Sequence, residues 1–292
     1  LGGEVVVIQR DRLAEIPHQA ISRLVKEYRE YPGEGYCEFE DEILVCIASI
    51  PQGYSEKVLG LTLARAISIV DPREGKVYLY VEDSSLRSIE NIVRKTRKPG
   101  DAGEAFQAVL EYIYNEYRAA LEAIGSSVDI VEDMIEREEL LAVVRETYRL
   151  RRILIDFRRG LRNYIQMLRE IHSDQNMARY IKNLGRLLEL IDELSIGLET
   201  LEIYREMLIS IRETHATLVG VKLNEVVKRL TAITLVLMIP TLIASIYGMN
   251  FDRSYPLNMP ELSWSFGYIY ALGLMVVSSI AGYLILKARG WF

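Results

Sequence analysis

Residues 222–251 read KLNEVVKRLTAITLVLMIPTLIASIYGMNF. From Leu230 to Phe251 no side chain carries a charge. A helix rises about 1.5 Å per residue, so about 20 such residues cross a hydrocarbon core of roughly 30 Å. A second uncharged run, Ser263 to Leu286, follows after a short connection. The sequence therefore predicts a membrane protein with two spans close to the end of this chain.

The first span differs from a plain anchor. In steps of seven, continued back into the preceding helix, it reads Ser210, Thr217, Asn224, Thr231, Met238 and Ser245. A second series reads Gly220, Val227, Thr234, Thr241 and Gly248. A seven-residue repeat keeps one seam turned to a supercoil axis. Hydroxyls and an amide along that seam suit an axis holding water and ions. They also suit a simpler arrangement, in which Ser and Thr bond back to the i−4 carbonyl and small residues let helices pack closely. One such stripe cannot close a pore by itself, so the pore reading requires several copies of the chain.

Orientation follows from the basic residues. Lys222, Lys228 and Arg229 precede the first span, and Lys287 and Arg289 follow the second. The connection carries only Arg253, against Asp252 and Glu261. The excess of Lys and Arg places both termini in the cytoplasm and the loop outside. Tyr247, Tyr255, Trp264, Tyr268, Trp291 and Phe292 lie where aromatic belts form. In the second span, Gly267, Gly273, Ser278 and Gly282 are expected to pack on the first span, leaving Ile, Leu, Val and Tyr to lipid.

The rest of the chain reads as soluble. Of 292 residues only about 45 belong to the spans, which keeps the mean hydropathy at +0.08. The net charge of −6 argues against a nucleic-acid partner, which would need a basic face. No signal peptide is expected ahead of this part. Cys37 and Cys46 have no Cys or His neighbours at metal-ligand spacing. They read as small buried strand residues in a reducing cytosol, a disulfide between paired strands being the lesser alternative. Up to Pro99 the chain holds five prolines and alternates short apolar runs with turns. Strands are expected at Glu4–Ile8, Tyr36–Glu38, Ile43–Ile50, Leu61–Val70 and Lys76–Val81, with helices at Ile16–Tyr28 and from an Asp83 cap to about Thr96. The acidic group Glu38, Glu40, Asp41 and Glu42 reads as a solvated hairpin turn.

Between Pro99 and Pro240 there is no proline, the composition of long helices. Asp101 is the expected cap of a helix over Ala102–Ala123 that Gly125-Ser126-Ser127 would break. A second helix is expected to run to about Ile171, ending at His172-Ser173-Asp174. From about Asp174 a third would run unbroken to Tyr247. In it Leu187, Leu194, Leu201 and Leu208 recur every seven residues, a greasy seam for the protein's own neighbouring helices. Pro240 removes one backbone bond inside the span and would bend it.

Tyr247-Gly248-Met249-Asn250 closes the first span, and Met259-Pro260-Glu261-Leu262 follows in the loop. Both resemble the CorA family of magnesium and cobalt channels, whose hallmark is Gly-Met-Asn at the end of the first of two spans. The resemblance implies an α+β cytoplasmic domain, a sheet with flanking helices, joined by a very long stalk helix to two transmembrane helices in a funnel-shaped homopentamer. On that frame residues 1–100 form the α/β domain and 101–173 a helical segment completing it. Residues 174–229 form the stalk and 230–251 the pore-lining span. The extracellular loop takes 252–262, the second span 263–286 and a basic cytoplasmic tail 287–292.

The resemblance also implies roles. Gly248, Met249 and Asn250 form the outer selectivity site. Asn224, Val227, Thr231, Thr234, Met238, Thr241 and Ser245 line the pore, with Val227 and Met238 the apolar candidates for a gate that dewets. Mg²⁺ gives up its waters reluctantly, so neutral oxygens that accept from those waters suit passage better than a trapping ring of carboxylates. Asp252 and Glu261 are expected to attract cations to the loop. Relatives bind regulatory Mg²⁺ between cytoplasmic domains, which points here to Glu189 and Asp192. The matching N-terminal stretch, Ile21-Ser22-Arg23-Leu24, has no carboxylate, a departure from that pattern. The expected function is passive uptake of hydrated Mg²⁺ or Co²⁺ across the cell membrane, with lipid and other copies of the chain as partners and no organic cofactor. A zinc or other divalent transporter on the same scaffold is one alternative, and a non-conducting membrane-anchored helical scaffold another. His18, His172 and His215 are far apart, and no nucleophile–base pair or phosphate loop is visible, so an enzyme is not expected.

Overall fold

The computed structural model describes residues 4–8, 19–30, 35–40, 42–54, 60–82, 101–252, 255 and 258–292. The chain divides into two compact units, Leu1–Glu213 and Thr214–Phe292.

The first unit is built on a five-stranded sheet: β1 (Glu4–Ile8), β2 (Tyr36–Glu40), β3 (Ile43–Gln52), β4 (Thr62–Asp71) and β5 (Lys76–Val81), in the order β1-β5-β4-β3-β2. β1 runs parallel to β5 and the other neighbours are antiparallel. The apolar runs of β3, β4 and β5 are continuous rather than alternating because both faces are covered. Leu44, Cys46, Ala48, Ile50, Ala66, Val70, Val77 and Leu79 enter one core, and Val45, Ile47, Ile67, Ile69, Tyr78 and Tyr80 a second. Strand side chains point alternately to opposite faces, which sorts the two sets.

Helix α1 (Gln19–Arg29) covers the second face with Val25 and Tyr28. On the first face lie α2 (Ala102–Glu136), α3 (Leu140–Ser173) and the opening turns of α5 (Leu184–Tyr247), with the short α4 (Gln175–Ala178) before it. Phe106, Val109, Ile113, Tyr117, Ala120 and Ile124 put the core stripe of α2 at three- and four-residue spacing. Tyr164, fully buried on α3, donates to the Leu110 carbonyl at 2.6 Å and stacks on Tyr117 at 5.4 Å. Burial pushes its phenol well above the ordinary tyrosine range. The leucine seam behaves as its spacing predicts: Leu187, Leu194, Leu201 and Leu208 are all buried in this core.

Several expectations need correction. Gly125-Ser126-Ser127 does not interrupt α2. Ser126 and Ser127 donate to the carbonyls of Glu122 and Ala123 one turn back, at 3.1 and 2.8 Å, so both fit inside the helix. Gly125 is there for space, since a Cβ would collide with the Tyr204 phenol. The long helix begins at Leu184 rather than near Asp174, because Asp174 caps α4 and Asn183 Oδ1 accepts from Arg186 N at 3.0 Å to start α5 afresh. Asp101 caps α2 as expected, its Oδ1 accepting from Glu104 N at 2.8 Å. Cys37 and Cys46 are joined as a disulfide rather than left as thiols. They face each other in the antiparallel register of β2 and β3, 4.2 Å apart at Cα, where two side chains meet directly. The helix expected from Asp83 to Thr96 lies outside the described residues.

The second unit holds the remainder of α5, a 3₁₀ turn at Pro260–Ser263 and α6 (Gly267–Ala288). α5 and α6 are each long and apolar enough, by length and composition, to cross a membrane. Pro240 does not end α5, which continues to Tyr247.

Candidate functional site: the polar stripe and mouth of the first apolar helix

Within the second unit the two sides of α5 differ. Ala232 is fully buried, and Val236, Ile239, Ile243 and Tyr247 are half-buried. Ile239 meets α6 directly, because a Cβ added at Gly282 would lie 2.7 Å from its Cδ1. Residues on a helix turn by about 100° each, which sets Ala232, Val236, Ile239 and Ile243 within one arc of about 60°. The same arithmetic centres Asn224, Val227, Thr231, Thr234, Met238, Thr241 and Ser245 roughly opposite that arc. All seven are exposed. The polar stripe is thus turned away from the chain's own second apolar helix.

The hydroxyls of the stripe adopt the simpler of the two arrangements expected for them. Thr231, Thr234, Thr241 and Ser245 donate to the carbonyls of Val227, Leu230, Leu237 and Thr241, at 2.8 to 2.9 Å. This spends each hydroxyl hydrogen inside the helix and leaves the oxygen lone pairs as acceptors facing outward. Outward acceptors without outward donors suit water molecules that themselves surround a cation. Met238 and Val227 stand among them as exposed apolar side chains.

At the mouth, α5 ends with Gly248 N donating to Ala244 O at 3.0 Å. The turn then tightens, with Met249 N donating to Ile246 O at 3.1 Å. Asn250 is exposed just beyond this turn. In the connection, Asn258 Nδ2 donates to the Asp252 carbonyl at 2.6 Å. Met259 takes a left-handed φ of 47°, and Pro260 opens the 3₁₀ turn. Glu261 on that turn accepts from the Tyr247 hydroxyl at 2.9 Å. Asp252 is exposed.

Glu189 and Asp192 lie on α5 in the first unit. Glu189 Oε2 is 2.9 Å from Arg186 Nη1, and Glu193 Oε1 is 3.6 Å from the same nitrogen. Glu111 of α2 lies 3.7 Å from Arg186 Nε, and the Tyr114 hydroxyl donates to Glu193. The guanidinium thus stands among three carboxylates and pairs with them within the chain. The surrounding carboxylates raise the Arg186 pKa further, the Glu189 hydrogen bond first. Asp192 is exposed outside this group. Among the described residues no group of three or more His, Cys, Asp or Glu could hold a metal.

Sequence reasoning passed over Arg186, although it stands three residues before Glu189 on a shared helix face, a spacing that favours ion pairs. It also passed over the bond between Tyr247 and Glu261. Both residues belong to the two motifs that flank the loop, 14 positions apart in sequence.

A family model described as "CorA-like Mg2+ transporter protein" matches residues 10–287. The cobalt/magnesium transport protein CorA of Thermotoga maritima is 26% identical over 81% of this chain and 65% of its own length. The magnesium transport protein CorA of Helicobacter pylori is 36% identical over 35% of this chain and 28% of its own. The matches thus span less than two thirds of these curated relatives. Among solved structures, the CorA magnesium transporter of Methanocaldococcus jannaschii superposes with a TM-score of 0.67 at 19% identity, covering 99% of this chain and 90% of that one. Full-length CmaX superposes at 0.64 with 15% identity. At such identities the likeness is one of fold.

Proposed function

The chain belongs to the CorA-like Mg²⁺ transporter family, and from that premise we propose that it is a passive channel for hydrated Mg²⁺, with Co²⁺ as a second cargo. Several copies, five by analogy with the family, stand with their polar stripes around a common axis. Both termini lie in the cytoplasm of a cell-membrane protein and the Gly248-Met249-Asn250 mouth opens outside. The observation that carries this reading is the placement of the stripe opposite the face that packs on α6. Acceptor oxygens that avoid the chain's own second span are free to meet the other copies and the water between them.

The mechanism rests on reading water rather than replacing it. Stripping Mg²⁺ is costly, and neutral oxygens cannot repay it. The Asn250 amide oxygen accepts hydrogen bonds from the ion's waters at the mouth, and the outward lone pairs of Thr231, Thr234, Thr241 and Ser245 continue the path. Binding stays weak enough for release. Val227 and Met238 form an apolar constriction that can dewet. A divalent ion moving inward down about 100 mV gains roughly 4.6 kcal/mol, so no nucleotide is required. Arg186, rather than Mg²⁺, neutralises Glu189.

Uptake into vesicles tests this. Wild type is expected to carry Mg²⁺ down a potential and to be blocked by hexaamminecobalt, a mimic of the hydrated ion. Asn250→Ala is expected to lose uptake. Wild-type vesicles that carry no Mg²⁺, or that carry Zn²⁺ in preference, would overturn the reading.

A further inference from the structure

We infer that Glu261 is a positioning residue for the mouth: its carboxylate, hydrogen-bonded by Tyr247, ties the end of the first apolar helix to the start of the second, and so fixes the direction in which Gly248-Met249-Asn250 leaves the helix. This rests on the channel reading and assigns Glu261 a task other than attracting cations.

The geometry builds the tie from both sides. Tyr247 is the last residue of α5, immediately before the triplet, and its hydroxyl meets Glu261 Oε1 at 2.9 Å. The partner carboxylate is itself held. Met259 O accepts from Leu262 N at 3.1 Å and Glu261 O from Trp264 N at 3.2 Å, closing the 3₁₀ turn. The Ser263 hydroxyl donates to Pro260 O at 2.6 Å. The turn is pressed on the first residue of α6, where a Cβ at Gly267 would collide with the Glu261 carbonyl. Trp264 packs edge-on to Tyr270 at 5.5 Å and adds a second hold on α6.

Chemistry explains why these two residue types meet. The helix end cannot set its own exit direction, since its last carbonyls have no partners within the helix. A phenol is a rigid lever with few rotatable bonds, and a carboxylate acceptor makes a stronger bond than a neutral one. The pair fixes the root of the triplet through a carboxylate engaged by the Tyr247 hydroxyl, whereas a bare carboxylate in the triplet itself would hold a divalent cation too tightly for release.

The test separates a tie from an attractor. Tyr247→Phe removes the bond and keeps the charge, whereas Glu261→Gln removes the charge and keeps an acceptor for the phenol. Tyr247→Phe and Glu261→Ala are each expected to lower maximal Mg²⁺ uptake by about tenfold, the worth of one charge-assisted hydrogen bond. The double variant is expected to lose no more than either alone, and Gln at 261 to recover most of what Ala loses. An attractor predicts the reverse: Gln as damaging as Ala, chiefly through KM, and Phe at 247 without effect. That pattern, in a protein whose wild type transports and whose Asn250→Ala variant does not, would overturn the inference and leave the channel reading standing. A second measurement needs no transport. In nanodisc-embedded protein with ¹³Cζ-tyrosine, the Tyr247 resonance is expected to move in Glu261→Ala and to stay near its wild-type position in Glu261→Gln. An unmoved resonance in Glu261→Ala would overturn the tie.

Discussion

Arg186 Nη1 lies 2.9 Å from Glu189 Oε2, and the same guanidinium faces Glu193 and Glu111. A single fixed cation therefore answers three carboxylates. In wild type, added Mg²⁺ is expected to leave the thermal midpoint of the soluble unit where it was. In Arg186→Gln the carboxylates lose that cation, and Mg²⁺ is expected to raise the midpoint by about 2–4 °C. Thermal melts of both proteins, with and without Mg²⁺, decide it. A wild type that responds as strongly as the variant would show that a divalent site exists elsewhere.

Leu194 and Ile196 stand two residues apart on α5 and face opposite ways, one 4% exposed and the other 62%. Leu194→Ala removes core packing and is expected to cost about 2–4 kcal/mol of unfolding free energy. Ile196→Ala is expected to change the stability of the isolated subunit by less than about 0.5 kcal/mol. Denaturant titration at concentrations that dissociate any oligomer gives both numbers. Ile196 and Ile203 belong to the seven-residue series that continues as Ser210, Thr217 and Asn224, so an added loss for Ile196→Ala at high protein concentration would place other copies of the chain on that series.

Much of this was legible in the sequence for simple reasons. Two uncharged runs announce two apolar helices, and a leucine every seven residues announces a packed seam. The strands show themselves as β-branched runs between turns. What stayed hidden depends on contacts rather than on periods. Glycine and serine at 125–127 carry the signal of a break, but helix-internal hydroxyl bonds and the Tyr204 ring answer it. The fresh start at Leu184 hangs on the Asn183 side chain, one residue in a stretch with no proline to mark it. The bond between Cys37 and Cys46 depends on register, which a separation of nine in sequence does not fix. The tyrosines hid most. Tyr28, Tyr54, Tyr78, Tyr114 and Tyr247 each donate to a glutamate, and only Tyr78 with Glu74 pairs at a separation as short as four.

Those phenol–carboxylate pairs make alkaline pH a probe of the soluble unit. Burial first, and then the bond to Glu116, raises the Tyr54 phenol well above its ordinary value of 10.0. Tyr78 is raised in the same way, by burial and by Glu74. A folded-state value above the unfolded one means the native state binds more protons above pH 10. The stabilisation is therefore fully present below pH about 10 and is lost as pH rises beyond it toward the folded-state value. Tyr54→Phe is expected to flatten the fall in stability above pH 10 while leaving the slope near neutrality unchanged. Denaturant midpoints measured across that range would contradict this if the variant fell as steeply as wild type.

The contact between Gly282 and Ile239 sets how closely the two apolar helices approach. A methyl at 282 would meet only the flexible end of Ile239, 2.7 Å away. Gly282→Ala is therefore expected to be tolerated through a small rotation of that side chain. Gly282→Leu cannot be absorbed so cheaply and is expected to destabilise the membrane unit by about 1–3 kcal/mol, as overpacking does. Ile239→Ala in the same chain opens the space again and is expected to recover most of the loss. Such recovery would locate the damage at this contact rather than in a general intolerance of bulk. Thermal stability in detergent measures all four proteins. Because the polar stripe lies on the other side of α5, Gly282→Ala is also expected to keep Mg²⁺ uptake close to wild type. If Gly282→Ala abolished uptake at undiminished stability, the division of α5 into an α6-facing side and an ion-facing side would be wrong.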